Sequence, residues 1–156
     1  MAKRRVVITG MGVVTPLGCS VQEYWDGLIS GRSGIRPIQR FDPTAFDTHF
    51  AGECTGFAPE RWIEPKAAKR MDRFAQFAVA AAIEAARDSG LDFSTLNPHR
   101  VGVITGSGIG GIQELEDQYR RLVEKGPSKV SAFTIPKLMV NAASGNISIL
   151  FGTRGP

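Results

Sequence analysis

Arg100-Val101-Gly102-Val103-Ile104-Thr105 runs directly into Gly106-Ser107-Gly108-Ile109-Gly110-Gly111, and a polar helical stretch follows from Ile112 to about Glu124. A short β-branched run, a glycine turn and a helix in that order make half of an α/β unit. The N-terminus echoes the pattern. Arg4 to Thr9 is a continuous apolar run closed by Gly10-Met11-Gly12. Both runs predict strands buried on two faces, as in a parallel or mixed sheet.

Between these runs, Thr15-Pro16-Leu17-Gly18 reads as a turn and Ser20 as an N-cap. Val21 to Ser30 carries Val21, Tyr24, Trp25, Leu28 and Ile29 at helical spacing, stopped by Gly31 and Gly34. Residues 35–63 hold Pro37, Pro43 and Pro59 and predict an irregular excursion with one short strand near Phe50 to Thr55. Pro65 opens an alanine-rich helix from Lys66 to Ser89, with Gly90 as its stop. After Gly126-Pro127, residues 131–135 predict an extended segment, Pro136 a helix through Ser144, and Asn146 to Phe151 the next strand. The expected order is strand, helix, helix, strand, helix, helix, strand, an α/β protein with a sheet between helical layers.

Composition narrows the class. The chain has 156 residues, 42% apolar and 22% charged, the balance of a soluble globular protein. No apolar run approaches the roughly 20 residues of a membrane span, and the N-terminal apolar stretch is too short for a signal peptide, so a cytoplasmic protein, or the mature core of an organellar one, is expected. Cys19 and Cys54 have no metal-ligand partners at short spacing and read as free thiols. The net charge of +4 lacks the basic stripe with interleaved aromatics that nucleic acid requires. Gly106, Gly108 and Gly111 satisfy the dinucleotide fingerprint, but the acidic partner should end a second strand, whereas Glu124 ends a helix. No cofactor is therefore expected. The glycines instead let backbone pass close to other backbone or to an acyl chain, and Ile109 is the one loop side chain able to line something.

Several stretches, in order and in register, resemble the β-ketoacyl synthases, with type II elongation enzymes the nearest in pattern. They are Val6 to Gly18, Gly31 to Ile35, Phe41-Asp42, Lys69 to Phe74, Gly106 to Gly111, and Phe151 to Pro156. The resemblance implies a thiolase-like fold of αβαβα layers with a mixed sheet. Residues 1–156 would form the N-terminal portion of its N-terminal domain, with no second domain in the chain. It implies a homodimer that condenses acyl and malonyl groups carried on acyl carrier protein. It also implies that the nucleophilic cysteine lies beyond Pro156, with the assisting histidines and lysine further on. Cys19, Cys54, His49 and His99 do not match that machinery, so these residues alone should be inactive.

Three features carry over by position. Ile109 matches the gate of the acyl pocket. Phe133 and Ile135 match the segment that the dimer interface contributes to the acyl tunnel. Lys66, Lys69, Arg70 and Lys129 match the basic patch that meets the acidic carrier protein. A different class remains open: a non-catalytic chain that docks carrier protein or dimerises, as chain-length factors do in polyketide systems.

Overall fold

The computed structural model describes residues 3–156. Helix α1 (Val21–Ile29) starts where Ser20 accepts the Glu23 amide through its hydroxyl. The Glu23 carboxylate reaches back to the Cys19 amide at 2.8 Å, one residue before the position a capping box would use. Gly31, at φ 65°, lets the chain leave the helix. The excursion that follows contains β1 (Arg36–Pro37) and β2 (Phe50–Ala51), an antiparallel pair in the register Arg36 to Ala51.

The alanine-rich stretch is two helices, not the single one predicted. Helix α2 (Pro65–Ala68) ends, and Asp72 restarts the chain as N-cap of α3 (Arg73–Ser89) with an extended backbone at ψ 163°. Alanine periodicity is blind to this break because both sides share it; the short acidic side chain that can accept an amide proton is the signal. Gly90, at φ 64°, closes α3 as expected.

Beyond the glycine loop come α4 (Ile112–Lys125), α5 (Thr134–Leu138) and α6 (Ala142–Phe151). Three sequence expectations are corrected here. Residues 131–135 are not extended; Ser131 and Thr134 form a turn that enters α5. The helix expected from Pro136 through Ser144 is broken at Met139, whose ψ of 135° separates α5 from α6. Asn146 to Phe151 is helix, not strand. Ala143 and Ile147, four residues apart, are its buried positions, and Phe151 continues that spacing to stack on Phe93 at 4.6 Å. Weak polar–apolar alternation suggested a strand, but helical spacing against α3 decided the outcome.

The two predicted strands are also corrected. Residues 4–9 and 101–106 form no strand, although Val101 accepts the Gly155 amide at 2.9 Å, and β1–β2 is the one sheet among the described residues. Val6, Ile8 and Ile104 are 95%, 86% and 94% exposed. A strand exists only when a neighbour takes its N–H and C=O groups, so a strand-like sequence without that neighbour stays irregular.

The core is formed where α3 packs on α6: Ile63, Ala68, Val79 and Ile147 are buried, with Trp62, Met71, Ile83 and Val103 against them. The other face of α3 receives the chain from residue 10 to 21. The Glu84 carboxylate accepts the amides of Val13 at 2.9 Å and Val21 at 2.8 Å, and Asp88 accepts that of Met11. Glu84→Ala orphans two partly buried amides and is expected to lower stability by about 2 kcal/mol. Denaturant midpoints check this, and an unchanged midpoint would mean that water replaces the carboxylate. In α4 the usual polarity is inverted. Glu114 and Gln118 are buried, while Ile112, Leu115, Tyr119 and Val123 form an exposed apolar stripe.

Candidate functional site

The glycine loop is anchored at its C-terminal end. Gly110 has φ 78°, and a Cβ there would stand 2.4 Å from the Leu138 carbonyl oxygen. The Gly111 amide donates to that same oxygen at 3.0 Å, and a Cβ on Gly111 would meet the Leu138 Cα at 2.7 Å. Only glycine permits this approach of loop to α5. The other half of the loop is open, with nothing within 4 Å of a Cβ on Gly106 or Gly108. Ile109 therefore stands on a loop pinned on one side and free on the other, its side chain 64% exposed.

Phe133, the N-cap residue of α5, is 45% exposed, and Ile135, in its first turn, 61%. Phe133 lines a cavity of about 510 Å³ with Arg70, Met71, Pro136, Met139 and Ile149. The Arg70 guanidinium stacks over the Phe133 ring at 5.3 Å from its centroid. Two residues that the sequence assigned to separate sites are thus joined at one edge. Lys66 and Lys69 are exposed on α2 and its exit, and Lys129 is exposed on the 3-10 turn Pro127–Lys129 that leads toward Phe133. Ile109 and Ile135 lie outside the lining of that cavity.

A buried polar chain that sequence reasoning missed lies beneath the loop. Asp72, Glu114 and Gln118 are 7%, 7% and 5% exposed. The Asp72 carboxylate accepts the Phe74 amide through Oδ1 and the Glu114 amide through Oδ2 at 2.9 Å. Glu114 accepts from Gln118 Nε2 and from Lys137 Nζ, both at 2.9 Å, and Gln118 Oε1 accepts the Ser131 amide. Asp72, inside the single helix that the sequence predicted, was missed both as the N-cap of α3 and as the acceptor of the Glu114 amide across 42 residues of sequence.

The cysteines are placed as quiet thiols. Burial, with the Glu23 carboxylate second, pushes the Cys19 thiol up from its ordinary value; burial, with Cys19 second, does the same to Cys54. A nucleophilic cysteine needs the opposite shift. Because a raised pKa reduces the thiolate fraction at mildly alkaline pH, alkylation by iodoacetamide at pH 8 is expected to be slower in the folded protein than in urea. The gap should narrow as pH rises; equal rates would contradict it. Arg73, beside Cys54, lies over the edge-to-face pair Phe57 and Phe77 and donates to the carbonyls of Cys54 and Phe57. Its bonds organise the loop before α2. His49 is exposed on a loop and His99 on the 3-10 turn Pro98–Arg100, and no group of three metal-ligating side chains occurs among the described residues.

The profile of the family described as "Beta-ketoacyl synthase, N-terminal domain" matches residues 3–156. The chain belongs to the β-ketoacyl synthase family. It is 49% identical over all 156 residues to the 3-oxoacyl-[acyl-carrier-protein] synthase 2 of Vibrio cholerae and spans 38% of that protein. It is 44% identical over 153 residues to the enzyme of the same name from Staphylococcus aureus, spanning 37% of it. Among solved structures, the ishigamide ketosynthase/chain length factor matches 97% of this β-ketoacyl synthase chain at 34% identity with a TM-score of 0.86, over 38% of its own chain. A β-ketoacyl synthase from Burkholderia phymatum matches 99% at 30% identity with a TM-score of 0.81, again over 38% of its own chain. The chain thus carries the ketosynthase fold over the N-terminal part of such proteins. No helix among the described residues is long and apolar enough to cross a membrane.

Proposed function

We propose that this chain is the N-terminal portion of the N-terminal domain of a cytoplasmic, homodimeric acyltransferase with αβαβα layers. Its reaction would be the decarboxylating Claisen condensation of fatty-acid elongation. The observation that carries the reading is 49% identity along the whole chain to a 3-oxoacyl-[acyl-carrier-protein] synthase 2. In that reaction a cysteine thiolate takes the acyl group and the carrier thiol leaves. Malonyl carrier protein then loses carbon dioxide, and its carbanion attacks the thioester carbonyl. The cysteine leaves as thiolate, and 3-oxoacyl carrier protein is released. No cofactor enters this sequence. The cysteine of that scheme is proposed to lie outside these residues.

Ile109 is the proposed gate of the acyl pocket, and Phe133 and Ile135 are proposed to contribute to the tunnel wall. Their exposure fits side chains that meet a substrate or a second subunit. The apolar stripe of α4 is the kind of surface a homodimer would cover. Lys66, Lys69, Arg70 and Lys129 are proposed to meet acyl carrier protein. A structure described as a type II polyketide acyl-carrier protein in complex with its ketosynthase matches 99% of this chain at 25% identity with a TM-score of 0.76.

The test is condensation of acyl and malonyl carrier proteins by the full-length protein that carries this sequence. Release of carbon dioxide with formation of 3-oxoacyl product is expected, and the 156-residue polypeptide alone should form none. Ile109→Phe is expected to lower kcat/KM for long acyl groups about tenfold while sparing short ones; a uniform loss would remove Ile109 from the pocket. The likeness to a ketosynthase/chain length factor supports a second reading, a non-catalytic chain that docks carrier protein or dimerises. Carrier-protein binding without turnover by the full-length protein would establish it.

A further inference from the structure

We infer that Asp72 is a positioning residue for the acyl-chain gate: its two carboxylate oxygens tie the start of α4, and with it the glycine loop that carries Ile109, to the start of α3. The inference rests on the proposed role of Ile109. Only Gly110 and Gly111 separate Ile109 from Ile112, the first residue of α4, and both are held against Leu138. The position of Ile109 therefore follows from where α4 begins and where α5 ends. Asp72 holds the first through the Glu114 amide. Glu114 holds the second, because its carboxylate takes the Lys137 ammonium at 2.9 Å, one residue before the carbonyl that accepts Gly111.

The arrangement is stiff because it is buried and its principal acceptors are occupied. Each Asp72 oxygen accepts one amide, and Glu114 spends one oxygen on Gln118 and the other on Lys137. Removing one partner leaves a buried group unpaired. A chain-length gate needs such support, since a side chain on an otherwise open glycine loop can exclude a long acyl group only if its base does not yield.

Asp72→Asn isolates the claim. An asparagine has a single acceptor oxygen, which can continue to cap α3 through Phe74, while its amide nitrogen would face the Glu114 amide, donor against donor. The α3 cap survives and the α4 tie is lost. In the full-length protein, discrimination between tetradecanoyl and hexanoyl carrier protein, read as the ratio of kcat/KM values, is expected to fall about fivefold, the change one lost cap makes in a local equilibrium. Amide exchange of peptides covering residues 106–115 should quicken, while that of the start of α3 stays unchanged. Lys137→Met, which leaves Asp72 intact, should shift the ratio in the same direction, and it carries the test if Asp72→Asn does not fold. Faster exchange with an unchanged ratio, or an equal loss for both acyl lengths, overturns the inference. A wild-type protein that condenses neither acyl group overturns the proposed function and this inference with it.

Discussion

Gly12→Val is expected to destabilise the protein by about 3 kcal/mol or more, as the overpacking of a close backbone contact demands. A Cβ at Gly12 would stand 2.0 Å from the Ala81 carbonyl oxygen and 2.8 Å from the Ala85 amide nitrogen, both in the backbone of α3. No rotamer relieves such a clash, because neither atom belongs to a side chain. Gly10 makes the same approach one turn along, 2.2 Å from the Ala85 oxygen. The small alanines of α3 and these two glycines together let the chain lie on the helix, where Glu84 and Asp88 take its amides. Gly56→Ala is the control: nothing lies within 4 Å of its Cβ, and the change should be neutral or slightly stabilising. Denaturant unfolding at constant m-value measures both. A Gly12→Val midpoint equal to that of the wild type would show that the segment from residue 10 to 13 is not seated on α3.

Reversing the four cations, as Lys66→Glu, Lys69→Glu, Arg70→Glu and Lys129→Glu together, is expected to raise KM for acyl carrier protein about 30- to 100-fold in the full-length protein. Exposed ion pairs contribute about 0.2–1 kcal/mol each, and reversal replaces each attraction by a repulsion. The first turnover of enzyme already loaded with an acyl group should change far less. Added salt should weaken wild-type binding and lessen the difference, since surface charge acts mainly on encounter. Arg70→Ala alone should do more than Lys66→Ala, because Arg70 also stacks on Phe133. Unchanged KM with all four reversed would move the carrier-protein surface elsewhere.

Elements closed by their own residues were readable without a structure. Ser20, Gly31 and Gly90 bound their helices as anticipated, since caps and left-handed stops are local chemistry. The close packing expected of the glycine loop holds for Gly111, which with Gly110 lies against Leu138, and not for Gly106 and Gly108, which meet nothing within 4 Å.

What depends on partners distant in sequence was legible only in pattern. Residues 4–9 and 101–106 have strand sequences, yet a strand requires a neighbouring strand to satisfy its backbone, and here none lies beside them. Residues 146–151 have a strand-like composition, yet Ala143, Ile147 and Phe151 share a helical face, and packing on α3 makes them helix. Sequence alone determined the family and the caps at Ser20, Gly31 and Gly90, because each is written in short contiguous stretches. Tertiary structure alone decided that Arg70 meets Phe133 and that one carboxylate of Asp72 caps two helices, because a side chain's second partner is set by which elements the fold brings together.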